Sequence, residues 1–279
     1  MLYNCHGVPP VESRAMLRMF QIDAFATRPF TGNPAAVVPL RAWLPDATMQ
    51  AIAMENNLAE TAFFVRTPDG EADFRLRWFT PALEVDLCGH ATLASAHALM
   101  AHLGWESPRV SFLTRSGVLH VERMNDLYTL DFPRHRPDRV DVPRALVEAL
   151  GAEPEEFHLG AYAMSVFRDQ AAVRDLRPDF RRLGAVEPGY HIATAPGDDH
   201  DFVSRFFAPR AGIDEDPVTG SAHCMLAPYW AARLGKQTLA ARQISSRGGD
   251  LICSYDGGER VEISGRAVTI LEGAYTLDL

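Results

Sequence analysis

The sequence predicts an α+β fold of two pseudo-symmetric domains, with mainly antiparallel sheets and one principal helix against each. Three observations carry this expectation. First, one pattern is written twice, as FTPALEVDLCGHATLASAHAL over 79–99 and FAPRAGIDEDPVTGSAHCML over 207–226. In each copy an aromatic residue stands two places before a proline, and a reactive side chain, Cys88 or Asp216, stands seven places after it. Second, much of the remaining chain alternates apolar and polar residues in short runs bounded by turn formers, as half-buried antiparallel strands do. Third, a helix-like stretch in each copy closes on Leu103-Gly104 or Leu234-Gly235, and glycine readily takes the left-handed stop.

Taken in order, 19–25 reads as a strand, 27–34 is dense in turn formers, and 35–40 reads as a second strand. Asp46 is placed to cap a helix through Met54, with Met49 and Ile52 on one face. A strand follows over 58–65 and a Pro-Asp-Gly turn at 68–70. In the strand over 74–81, Phe74, Leu76 and Trp78 face one way, and Arg75 and Arg77 the other. A helix is predicted over 91–102. Short strands fill 110–132 around a turn at 124–126. An amphipathic helix within 138–151 stops at Gly151, strand signals return at 251–255 and 261–265, and the last run, 267–279, can complete a sheet of either half. The expected division is an N-terminal flexible extension (1–18), a first domain (19–118 plus 266–279) and a second domain (119–265), with the active site in the cleft between them.

Composition narrows the function. At 279 residues the chain has room for one large domain or two ordinary ones, and its 47% hydrophobic and 23% charged residues suit a globular protein. A formal charge of −9 and the lack of a basic run argue against nucleic acid as a partner. A small anionic substrate is still compatible, because a pocket can be locally positive in an acidic protein. No stretch reaches the roughly 20 apolar residues of a membrane span, and the first residues lack the basic-then-apolar order of a secretory signal. The cysteines, Cys5, Cys88, Cys224 and Cys253, show no CxxC spacing, so a reducing, cytoplasmic setting is expected. There is no GxGxxG or Walker loop, no HExxH and no GxSxG. His97 and His102 are five apart, off one helical face, and His200 and His223 lack companions, so no metal is expected.

Several residues have both a chemical and a structural reading. Glu60 is a solvated charge at a strand entrance or a general acid/base. His90, just after Cys88-Gly89, is a capping or packing residue at a helix start, or a catalyst. Asp216 is an N-cap with Pro217 at the first helical position, or an active-site carboxylate. Amides around Gly89-His90 and Gly220-Ser221 stand where helices begin. Glycine there admits close approach, so the two entrances make an anion site for a carboxylate or a developing enolate-like oxygen. Gly248 and Gly249 would add a backbone contact, and Arg247 a charge partner. Cys88 on its own reads as a buried inert thiol, and Cys224 and Cys253 as core residues.

GNP at 32–34, ETAFFV at 60–65, CGHAT at 88–92 and EDPVTGSA at 215–222 occur in this order. Together they resemble the phenazine-biosynthesis isomerase (PhzF-like) family, which shares its fold with diaminopimelate epimerase. The resemblance runs from about Met19 to the C-terminus. It implies two similar α+β domains about a cleft, no cofactor or metal, a homodimer, and Glu60 as the acid–base residue. It further implies that His90, Asp216 and Ser221 line the site, with Asn33, Cys88, Gly89, Gly220, Gly248 and Gly249 contacting the substrate. The expected activity is a cofactor-independent shift of a proton between carbons of a small carboxylate-bearing substrate. In the epimerase branch, paired cysteines act at the two equivalent helix entrances. Here the spacing from proline sets Cys88 opposite Asp216, so a racemase would need Cys88 to work with Asp216 or Glu60. The phenazine enzyme generally has no thiol before Gly-His, and this departure bears on the substrate. A cleft retained for binding without turnover is the remaining alternative.

Overall fold

A computed structural model describes residues 16–68 and 70–277. The first half builds β1 (Met16–Ala24), β2 (Asn33–Leu40), α1 (Asp46–Asn56), β3 (Glu60–Arg66), β4 (Phe74–Phe79), β5 (Glu84–Val85), α2 (Gly89–His102), β6 (Arg109–Thr114), β7 (Gly117–Met124) and β8 (Leu127–Pro133). There follow β9 (Asp138–Val140), α3 (Arg144–Leu150), β10 (Glu156–Leu159), β11 (Ala163–Val166), α4 (Gln170–Arg174), α5 (Phe180–Leu183), β12 (His191–Pro196) and β13 (Phe202–Ala208). A single 3-10 turn (Pro209–Ala211) leads to β14 (Ile213–Asp216), α6 (Gly220–Leu234), β15 (Thr238–Gln243), β16 (Gly249–Ser254), β17 (Arg260–Gly265) and β18 (Ala267–Thr276). Of the extension expected over 1–18, residues 1–15 lie outside the described residues. Met16, Leu17 and Arg18 already belong to β1, paired with Thr276, Tyr275 and Ala274.

The duplication is written in the strand pairing. In the first half β2–β3 is parallel, β3–β4 antiparallel, β4–β6 parallel, and β6–β7 and β7–β8 antiparallel. In the second half β11–β12, β12–β13, β13–β15, β15–β16 and β16–β17 repeat those senses in the same order. The parallel pairs are the ones joined by crossovers through helices, as parallel strands require. Equivalent strands β8 and β17 pair antiparallel with each other, as a pseudo-two-fold demands, and fuse the two sheets into one. The strands after them cross over in turn: β9 pairs with β10, and β18 with β1. On this correspondence we propose that the chain passes between domains after Pro133, later than the 118/119 boundary expected. Strands β7 and β8 both lie against α2.

Each half wraps its sheet around one helix. Helix α2 is rich in alanine and small residues and is buried over most of its first eleven positions. A helix apolar all round belongs in a core, and the small side chains let strands β1, β2, β3, β7, β8 and β18 close about it. Helix α6 does the same for β8, β15, β16 and β17. Its Trp230 stacks on Phe202 at 5.8 Å and donates its indole N–H to Thr194 Oγ1 at 3.0 Å. Gly104, Gly151 and Gly235 lie at φ +71°, +73° and +65°, the left-handed stops expected for α2, α3 and α6. Asp46 differs from expectation: it lies inside the first turn of α1, where Pro45 holds the N-cap position without a side-chain cap. Its carboxylate accepts instead from Arg77 Nη1 at 2.8 Å.

Candidate active site

The two copies of the repeat deliver strand, entrance and helix alike, with one insertion between them. Helix α2 starts at Gly89, ten residues after Phe79, and α6 at Gly220, thirteen after Phe207. The extra length lies in the longer, irregular β13–β14 ladder, because four residues connect the paired strands in both copies. Strand pairing fixes the register: Trp78 pairs with Val85 in the first copy, and Phe206 with Asp216 in the second. Asp216 is therefore the equivalent of Val85. The N-cap positions are Cys88 and Thr219, both in extended backbone, and neither supplies a side-chain cap. The expected pairing of Cys88 with Asp216, and of Asp216 with the N-cap, is thus corrected. Thr219 stands opposite Cys88, and Ser221 opposite His90.

These two entrances meet. A Cβ placed on Gly89 would lie 4.0 Å from the Gly220 Cα and 3.5 Å from the Phe132 ring. Without caps, the first amides of both helices open on one cavity of about 380 Å³, within the range of small-molecule sites. Glu60, Cys88, Gly89 and His90 line it from the first half, and Asp216, Thr219, Gly220 and Ser221 from the second. Glu60 reaches it because it is the first residue of β3, beside Ala35 of β2. Its Oε2 forms an ion pair with His90 Nε2 at 3.0 Å, and both buried atoms lack any other partner. Nδ1 of His90 lies 3.5 Å from Cys88 Sγ and 3.3 Å from Asn33 Nδ2.

Behind this wall, Asn33 joins the halves. Fully buried at the start of β2, it donates from Nδ2 to Asp216 Oδ1 at 2.9 Å and to the Val218 carbonyl at 2.9 Å. The Thr219 hydroxyl donates to Asp216 Oδ2. Gln243 fixes the segment between them, donating to the Asp216 carbonyl at 2.7 Å and accepting from Thr219 N at 2.9 Å. Tyr162 donates its hydroxyl to Ser221 Oγ at 2.9 Å, which leaves the serine proton free to point elsewhere.

Burial sets the electrostatics. It pushes Asp216 up to about 6, helped by the charge of Glu60, while His90, Thr219 and Asn33 restrain the rise. Burial and the Glu60 charge push the Cys88 thiol up to about 11, so it is neutral near pH 7. For His90, burial opposes the imidazolium, but Cys88 and Glu60 outweigh it and hold the ring well above its ordinary value. The wall therefore sets an imidazolium and two helix N-termini, all favouring negative charge, beside two carboxylates.

Not every expected residue reaches the cavity. Gly248 accepts through its carbonyl from Gly32 N at 2.6 Å, and a Cβ on Gly249 would meet Val218 at 2.4 Å and the Phe25 carbonyl at 2.9 Å. Both are packing glycines under the site and do not line it. Arg247 points away as well: it donates to buried Asp23 at 2.8 Å and to the Gly32 and Thr31 carbonyls at 2.9 and 3.2 Å. Asn33 positions other side chains from behind. Cys224 and Cys253 are buried in the core as expected. Sequence reasoning missed Tyr162, Tyr190, Phe206, Arg210 and Gln243. Tyr190 and Phe206 stack at 6.4 Å and form an aromatic wall. Anchoring the repeat on its glycines would have given Thr219 its place, since Gly89–Gly104 and Gly220–Gly235 span equal lengths.

Among the described residues, Glu60, Cys88 and His90 also offer one donor atom each within 4.8 Å of one another, a set that could hold a cation. Thiol and imidazole ligands must first shed their protons. The held-up values of Cys88 and His90 favour the proton over a metal there.

Paired sheets about two helices whose N-termini share a cleft place the chain among the isomerase- and epimerase-type folds. A hydroxyproline epimerase of Agrobacterium vitis shares the architecture at a TM-score of 0.61, over 95% of this chain and 94% of its own, with 13% identity. The family model described as phenazine biosynthesis-like protein (PhzC-PhzF) matches residues 22–273. A Pseudomonas aeruginosa protein described as an uncharacterized isomerase is 51% identical over 263 residues, 94% of this chain and 99% of its own. A PhzF-family structure from Enterococcus faecalis superposes at a TM-score of 0.91, with 45% identity over 94% of this chain and all of that one. The chain belongs to the phenazine biosynthesis-like family and is an isomerase-type enzyme. Among the described residues, no helix is long and apolar enough to cross a membrane.

Proposed function

We propose that this enzyme shifts a proton between carbons of a small carboxylate-bearing substrate, with Glu60 as the general acid/base. One observation carries the reading: Glu60 Oε2 and His90 Nε2 pair at 3.0 Å on the cavity wall, and neither atom has any other partner. A C–H proton passes to the Glu60 carboxylate, the electron pair left on carbon spreads into the adjoining unsaturated system, and Glu60 returns the proton at another carbon. His90 and the amides at Gly89 and Gly220 hold the substrate carboxylate or the oxygen on which charge develops. Ser221, oriented by Tyr162, donates to the substrate. Asp216 orients substrate from the second half. The step needs no cofactor.

A two-base epimerase built from Cys88 and Glu60 lacks room. Bases on opposite faces of one carbon, each about 3–3.5 Å from it, stand about 6–7 Å apart. The Cys88 and Glu60 donor atoms lie within 4.8 Å of each other. The test is incubation of the wild-type enzyme in D2O with a panel of unsaturated and hydroxylated carboxylic acids, followed by NMR. Deuterium delivered to a carbon other than the one deprotonated supports the proposal, whereas inversion at a single labelled centre would replace it with epimerisation. No exchange with any acid, alongside a stable protein partner, would mark a binding protein. The free cysteines support a reducing, cytoplasmic setting, and family resemblance supports a homodimer.

A further inference from the structure

Both copies of the repeat carry the same ion-pair fork, atom for atom, outside the cavity. In the first copy Arg77 of β4 donates from Nε and Nη2 to the two oxygens of Glu84 on β5, at 2.7 and 2.8 Å. Its Nη1 reaches outward to Asp46 at the start of α1. In the second copy Arg205 of β13 donates from Nε and Nη2 to the two oxygens of Glu215 on β14, both at 2.8 Å. Its Nη1 likewise reaches outward, to the Val173 and Leu176 carbonyls at the end of α4, at 3.2 and 3.0 Å. Each guanidinium also covers the phenylalanine two places on, Phe79 at 5.2 Å and Phe207 at 4.9 Å. Each glutamate stands four residues before an N-cap, Glu84 before Cys88 and Glu215 before Thr219. The fork is the same although the second copy is longer between arginine and glutamate. Bidentate pairing fixes orientation as well as distance, so each fork ties an outer helix, a sheet strand and a helix entrance into one unit.

We propose that Arg205 and Glu215 are positioning residues that hold β14 so that Asp216 faces His90 and Glu60, and that Arg77 and Glu84 do the same for the Cys88–His90 entrance. The inference deepens the proposed function, because the placing of Asp216 matters to chemistry only on that reading. Glu215 and Asp216 are neighbours in β14, so the fork holds the strand from which the Asp216 carboxylate reaches Asn33 and Thr219. The groups facing Asp216 are Asn33 on β2, His90 on α2, Glu60 on β3, Thr219 before α6 and Tyr162 beside β11. A looser strand alters its distance to all of them.

The test is made on the substrate-free protein, so it stands or falls apart from the proposed reaction. Aspartate carboxyls are 13C-labelled and the Asp216 signal, assigned with Asp216→Asn, is titrated by NMR. In the parent, burial holds this carboxyl up at about 6. Arg205→Lys keeps the charge and loses the fork; Glu215→Asp keeps the charge and shortens the reach. Each is expected to displace the Asp216 midpoint by at least about 0.5 pH unit, roughly threefold in its ionisation constant. Arg168→Lys, at an exposed pair with Asp169, is expected to leave it in place. An Asp216 midpoint unchanged in a folded Arg205→Lys or Glu215→Asp protein, even one of lower Tm, would show that the fork only stabilises and would overturn the proposal.

Discussion

Replacing Asn33 by alanine should cost stability in a pH-dependent way that its place in the structure allows to be calculated. Asn33 is fully buried and its amide is a donor that Asp216 Oδ1 receives from the other half of the molecule, at 2.9 Å. A hydrogen bond to an ionised group contributes about 1.5–3 kcal/mol. At about 1.36 kcal/mol per pH unit, its loss raises the Asp216 midpoint from about 6 by roughly 1–2 units. The sign follows from linkage. Burial already holds folded Asp216 above its unfolded value of 3.8, so its ionisation opposes folding, and stability from this group declines as pH rises from 3.8 through about 6. In the variant that decline continues to higher pH. Urea unfolding at pH 5 and pH 8 measures it: the cost of Asn33→Ala should be larger at pH 8 by about 1.4–2.4 kcal/mol. An equal cost at both pH values would refute the bond between Asn33 and ionised Asp216, leaving only a packing defect.

Other consequences follow from the same geometry. Arg247→Met strands the buried Asp23 carboxylate, itself held above its ordinary value by desolvation against the pull of Arg247. Denaturant unfolding should show a loss of about 3 kcal/mol, most of it recovered in the Arg247→Met/Asp23→Asn double variant. Gly249→Ala forces a methyl to 2.4 Å from Val218 and should destabilise by about 1–3 kcal/mol, read as a lowered Tm. Cys88, at about 11 against about 8.5 for a free thiol, has a thiolate fraction near pH 7 smaller by about 300-fold. Mass spectrometry should find it alkylated by iodoacetamide at least about 100-fold more slowly than a model thiol.

What the sequence disclosed tracks the range of the interactions involved. Alternation in 74–79 reads off one strand, and Gly104, Gly151 and Gly235 stop helices by their own backbone freedom, so both are local and legible. The doubled pattern revealed the two entrances, and Glu60, His90, Asp216, Ser221, Cys88, Gly89 and Gly220 do line one cavity. Counting from proline misplaced Asp216, because extra residues in an irregular strand ladder leave no mark on composition. Only the strand pairs Trp78–Val85 and Phe206–Asp216 reveal the register. The roles of Asn33, Tyr162 and Gln243 rest on bonds between residues far apart in the chain. Arg247 and Gly248-Gly249 stand beside the loop at 30–33 and support it; from sequence, supporting the site and lining it look alike.

The central claim is that the Glu60 carboxylate carries the proton. Glu60→Gln keeps the size and polarity of the side chain while removing its basicity, and it is compared with wild type in D2O using whichever acid of the panel exchanges fastest. Deuterium incorporation is expected to fall by at least about 100-fold, the lower end of what a general base contributes, while the acid still binds. Incorporation continuing in Glu60→Gln at the wild-type rate would contradict the account and move the base to another group in the cleft.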